Sequence, residues 1–377
     1  MSEPTHCSYL SVFFTSLACS TIGSAFDIPT LGSSILDAKI LYILYLMKET
    51  LRCSIYRFEN IKKYQLEMVK LLETRDSGGY VFYYYTPSRV ASYVFTVVFA
   101  ICTIYLTYQI VRIATSRRRR SMVPKKKLTR YLCMMIPLWV GCIMEIVGYI
   151  GRLISANDIT SLGPFIIQSV ALLVAPTLFA ATIYMSLGEL VRTLQAPEKS
   201  IVSLKYLTKL FVAGDVVSFL LQGSGGGMAS SNPSIGRLLI IAGLFVQILF
   251  FGMFCVTEST FYIRMEHKPN SISQSGEAFP NKFVNWRSYC YVLFNSSMLI
   301  LVRSIYRAIE FIQGESGSIA RNQTLLYLFD SAMMSVAVIL LLAFNIPDYL
   351  VLHEGKFGDT SESAGIMDYD DNKDTSF

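Results

Sequence analysis

The chain has 377 residues, of which 53% are hydrophobic and only 16% charged, with a net charge of +6; a typical soluble domain carries about 25% charged residues. Most of the positive charge sits in one cluster beside an apolar segment, where acidic lipid headgroups rather than nucleic acid are the expected partner. Only three histidines occur, His6, His267 and His353, none inside an apolar segment, which excludes multi-histidine membrane desaturases and hydroxylases and argues against histidine-ligated haem.

In chain order, residues 1–79 come first. Tyr9 to Phe26 is mildly apolar but follows no Lys or Arg, Ile40 to Met47 is too short to span, and residues 48–76 mix both charge signs around Leu, Ile and Tyr. This extension receives no functional assignment. Residues 80–347 form a domain of seven apolar segments at about 90–114, 131–153, 164–188, 206–223, 237–262, 288–310 and 325–347. Each is long enough, at about 1.5 Å per residue, to approach or cross roughly 30 Å of hydrocarbon. The expected fold is therefore an all-α polytopic bundle of seven transmembrane helices.

Basic residues alternate between the connections. The first, third and fifth carry fifteen Lys or Arg, including Arg117, Arg118, Arg119, Arg120, Lys125, Lys126 and Lys127; the second, fourth and sixth carry only Arg321. Positive charge marks the cytosolic face, so the N-terminal end of the first span is expected outside and the C-terminus in the cytosol. The seven basic residues named above are expected to meet anionic headgroups. Asn322-Gln323-Thr324 is a glycosylation sequon on the expected outer side. Residues 348–377, with eight acidic and two basic residues, read as a disordered cytosolic tail.

Charged side chains are rare in bilayer-crossing helices; where present they face the bundle, pair, or line a pathway. In the second span Glu145 and Arg152 lie seven residues apart on one face, and in the third Gln168 precedes an internal Pro176, which removes a backbone hydrogen bond. Asp215 and Gln222 share a face of the fourth, after which Gly223 to Gly227 is expected to end the helix; Arg303, Arg307 and Glu310 form a stripe on the sixth, and Asp330 opens the seventh. All but the central Asp215 fall in the outer half. These nine are the candidate substrate-binding residues, expected to line a polar, partly charge-paired cavity open to the outer leaflet.

No Gly-x-x-x-x-Gly-Lys-Ser/Thr run is present to cradle phosphates, no Ser/His/Asp set converges at one depth, and the eight cysteines lack metal-ligand spacing. No catalytic residue, cofactor or metal is expected.

Five motifs then carry a resemblance over roughly residues 80–347: Tyr83-Tyr84-Tyr85-Thr86-Pro87-Ser88; Gly141 through Arg152; Ile166-Ile167-Gln168 with Ala175-Pro176 and Ala181 to Met185; Gly214 through Gly227; and Arg303 through Phe311. With these the chain resembles the fungal resistance-to-aminocholesterol, lipid-translocating exporter-like family, whose members include protoporphyrin-uptake and sphingoid-base-exporting proteins. Where that family's pattern has a His-Glu pair before the last span, this chain reads Arg321-Asn322-Gln323. The resemblance implies a plasma-membrane protein that moves amphiphiles or confers resistance to them. The alternative is a heptahelical receptor or regulator of the lipid stress response without transport. Against that alternative, Glu189-Leu190-Val191-Arg192 stands where a receptor's Asp/Glu-Arg-Tyr would follow the third span.

Overall fold

The computed structural model describes residues 89–116, 123–156, 162–228, 232–268, 286–313 and 323–351. The extension at 1–79, the arginine run Arg117 to Arg120, Asn322 and the tail beyond 351 lie outside the described residues. Among the described residues every regular element is helical: α1 Arg89–Thr115, α2 Lys125–Cys133, α3 Ile136–Ser155, α4 Leu162–Thr193, α5 Leu204–Met228, α6 Pro233–His267, α7 Trp286–Gln313, α8 Gln323–Leu326 and α9 Met333–Ala343. A π-helical turn, Tyr327–Ala332, joins α8 to α9. Six helical stretches are long and apolar enough to cross a membrane, and α5 falls short of that apolarity.

The second span is interrupted between α2 and α3 at Met134 and Met135. Pro137 accounts for the break, because its ring nitrogen cannot donate to the carbonyl four residues earlier. Helix α2 is the basic, amphipathic approach to the span, burying Leu128 and Tyr131 and exposing Lys125, Lys126 and Lys127.

The long helices pack in a closed circuit, α1 on α3, α3 on α4, α4 on α5, α5 on α6, α6 on α7, α7 on α9 and α9 back on α1, while α7 also touches α4 across the centre. Helix α7 has the lowest mean hydropathy of the six apolar stretches, 1.3, and 89% of the residues in its 18-residue apolar stretch are buried, whereas for α1, at 2.0, the share is 22%. In lipid this is the expected sorting: apolar faces meet acyl chains, and polar groups must find partners within the bundle. The outer face of α1 accordingly presents Val94, Val97, Ile101, Ile104 and Val111.

Two element ends differ from expectation. Helix α5 does not stop at the glycine run but continues to Met228. A Cβ at Gly225 would stand 2.6 Å from the Gly236 carbonyl oxygen, and one at Gly243 2.8 Å from that of Ser218. Gly225 thus serves helix contact rather than a turn, as small residues do when backbones approach in membranes, while a Cβ at Gly223, Gly226 or Gly227 would meet nothing within 4 Å. At the other end, Asn345 takes a positive φ of 38°, after which helix resumes to Val351 with Tyr349, Leu350 and Val351 buried. Gln109 of α1 donates to the Leu342 carbonyl beside this break, at 2.9 Å. The first four residues of the expected tail therefore belong to the bundle.

Candidate functional site

The centre of the site starts from a missing hydrogen. Pro176 lies inside α4 and has no N–H to give the carbonyl four residues back, which is that of Leu172. In hydrocarbon such an acceptor needs another donor. Arg303 of α7 supplies it, its Nη2 donating to the Leu172 carbonyl at 2.9 Å. Gly148 of α3 makes room for the Leu172 side chain, since a Cβ there would stand 2.6 Å from Leu172 Cδ2.

The same guanidinium forms an ion pair with Asp330, Nε to Oδ1 at 2.5 Å. Asp330 sits in the π-helical turn, a distortion that recurs at functional sites because it displaces side chains from the regular helical register. Glu145 of α3 joins them: its carboxyl interacts with both Arg303 and Asp330 and is 1% exposed. Asp330 is thus the paired acid, and Glu145 lies near enough to feel both charges. Along α7, Arg307 pairs with Glu310 at 2.9 Å and also feels Asp330, linking the outer stripe to the buried group. Beside it Arg152 stacks over the Tyr327 ring, 4.9 Å from its centroid, and the Tyr327 hydroxyl meets Ser92 of α1 at 3.3 Å. Gln168 is buried against Gly151.

The structure therefore brings Glu145, Arg303, Arg307, Glu310 and Asp330 into one charged constellation, with Arg152 and Gln168 at its margin. It places the other two elsewhere. Asp215 accepts from the Tyr184 hydroxyl at 2.9 Å, and Phe211, Phe251 and Phe254 surround that Tyr184 ring. Gln222 donates to Ser218 and to Gln247 of α6, at 2.7 and 3.1 Å. Arg303, Glu145 and Asp330 are all at most 5% exposed, so the expected open cavity is a closed charge cluster in this conformation.

Three participants escaped sequence reasoning: the Leu172 carbonyl, Tyr327 and Tyr184. Pro176 carried the signal for Leu172, by counting back four residues. At the far end of the bundle Arg130 of α2 pairs with Glu189 of α4 at 3.1 Å, occupying the position compared above with the receptor pattern.

Chemically the constellation can exchange ion-pair partners: a cationic head would compete for Glu145 or Asp330, an anionic head for Arg303 or Arg307. Its burial within helices of membrane-spanning length and composition defines a multi-pass membrane protein.

Sequence comparison then gives the family. The profile described as RTA1 like protein matches residues 138–353, and the chain belongs to that family. It is 39% identical over 287 residues to Protein RTA1 of Saccharomyces cerevisiae, covering 73% of this chain and 88% of that one. It is also 39% identical over 301 residues to protoporphyrin uptake protein 1 of the same yeast, covering 74% and 95%. The sphingoid long-chain base transporter RSB1 of S. cerevisiae is more distant, 24% identical over 234 residues, or 54% and 61% of the two chains. No solved structure matches.

Proposed function

We propose that the protein is a plasma-membrane translocator of amphiphilic molecules, of the sphingoid-base, sterol-like or porphyrin-like kind, and that the Glu145–Arg303–Asp330 constellation receives the polar head. Seven helices cross the bilayer, with α5 as the seventh, the N-terminal end of α1 outside and the C-terminus in the cytosol. This places the constellation in the outer half. The observation that carries the proposal is the buried Arg303–Asp330 ion pair between α7 and the π-helical turn, with a third ionisable side chain, Glu145 of α3, buried beside it. A cationic head would compete with Arg303 for Asp330 or pair with Glu145, and an anionic head would compete with Asp330 for Arg303. Buried charges also serve helix registration, but registration requires only a balanced pair. The names of the relatives, an uptake protein and a long-chain base transporter, support the substrate class.

The test is reconstitution of purified protein in vesicles with a fluorescent sphingoid base and, separately, protoporphyrin. Transbilayer movement is expected for the wild type and lost in Glu145→Gln and Arg307→Gln with no change in the amount of folded protein. Movement equal to that of empty vesicles refutes the proposal and leaves a receptor or regulator. Loss of folded protein in parallel with activity would assign these residues to packing instead.

A further inference from the structure

Between α6 and α7 lies a second polar system, toward the face bearing Arg264, Lys268 and Arg287. It consists of three rungs. At the mouth, Glu266 pairs with Arg287 at 3.2 Å, both partly exposed. One helical turn further in, the hydroxyls of Tyr262 and Tyr291 meet at 2.9 Å, and Tyr262 also interacts with the Glu266 carboxylate. Another turn inward is Glu258, 1% exposed, whose Oε2 accepts from the Ser297 hydroxyl at 3.0 Å. Glu258, Tyr262 and Glu266 are four residues apart and so share one face of α6.

The inner rung is incomplete. Glu258 Oε1 is buried and has no hydrogen-bond partner among the described residues. A small cleft between the inner two rungs is lined by Glu258, Ser259, Tyr262, Cys290, Tyr291 and Phe294. The titratable groups facing the carboxyl are the thiols of Cys255 on α6 and Cys290 on α7 and the phenols of Tyr262 and Tyr291, with Glu266 one turn further out. No charged group of α5 or of the Pro197–Lys199 turn, which also pack on α6, reaches it among the described residues. A carboxylate isolated from water and cations is strongly disfavoured, so the group takes up a proton instead. Ionisable groups so placed in bilayer proteins mark proton relays.

We propose that Glu258 is a proton-binding site loaded from the basic face of the bundle along the Glu266–Tyr262–Tyr291 ladder. A proton arriving from water passes to the Tyr262 or Tyr291 hydroxyl as that hydroxyl releases its own proton inward. The transferred proton ends on Glu258 Oε1, converting carboxylate to carboxylic acid and leaving both tyrosines neutral. Nothing in this step requires an amphiphile, so it stands apart from the translocation assay above.

The experiment is infrared spectroscopy of the purified full-length protein in lipid nanodiscs at neutral pH, read in the protonated-carboxyl stretching region before and after transfer to D2O. The wild type should show a component that Glu258→Gln lacks, and that component should shift in D2O. In Tyr262→Phe/Tyr291→Phe the component should remain while its shift in D2O is markedly slowed. Should Glu258→Gln fail to fold, Ser297→Ala supplies the check, since removing the hydroxyl bonded to the carboxyl should displace the same component. A Glu258→Gln spectrum superimposable on the wild type, or an unmoved spectrum in Ser297→Ala, would overturn the site. Unchanged exchange in the double phenylalanine variant would overturn the ladder as its route.

Discussion

Asp330 and Asp215 are equally buried, each 4% exposed, yet they meet different partners. Asp330 faces a guanidinium that is itself held by a carbonyl orphaned by proline. Asp215 faces a phenol inside a cage of three phenylalanines. The first arrangement places an ion pair in the bundle; the second is a hydrogen-bonded contact between α4 and α5. Residue type alone does not separate these roles. The nearest cation does.

That contrast can be broken at its strongest point first. Arg303→Met removes the cation but leaves Glu145 and Asp330 buried, and is expected to cost about 3–5 kcal/mol of stability. Adding Asp330→Leu should recover part of this loss, since replacing both members of a buried pair is far less costly than removing one. Equilibrium unfolding in mixed micelles measures the cycle, and absence of any recovery would mean the two residues do not act as a pair. Next in size, Tyr184→Phe strips Asp215 of its hydroxyl donor and should cost about 1–3 kcal/mol by the same measurement. The smallest effect is expected from Gln222→Leu, about 0.6 kcal/mol, the average for a polar contact between helices in a bilayer. If Tyr184→Phe proved as costly as Arg303→Met, the two regions would not differ in kind.

The all-helical membrane fold was readable because apolar length is a direct measure of hydrocarbon thickness, and the described helices fall on the expected segments. Within the site, Arg303, Arg307 and Glu310 declared themselves by helical spacing on α7, and Pro176 announced a vacancy in the hydrogen-bond ladder of α4. What filled that vacancy was not legible, since Arg303 is 131 positions away in sequence and only packing selects it. Periodicity put Glu145 and Arg152 on one face of the second span, but a shared face limits direction and does not choose between neighbours on other helices: Glu145 lies by Arg303 and Asp330, Arg152 over Tyr327. The glycine run misled for a related reason. Glycine both frees a turn and permits close helix contact, and α6 supplies the Gly236 carbonyl and Ile240 that decide for contact.

That contact bears on how the chain is built. Helix α5 carries Lys205, Lys209 and Asp215 and is, among the described residues, the one long helix outside the apolar six, so on its own it partitions weakly into lipid. Its Gly214 and Gly225 fit against α6, whose mean hydropathy of 2.6 is the highest of the six apolar stretches. During synthesis α5 should accordingly wait at the translocon and enter the bilayer as a hairpin with its successor, so that damage at Gly225 would surface as a topology defect long before it touched any ligand.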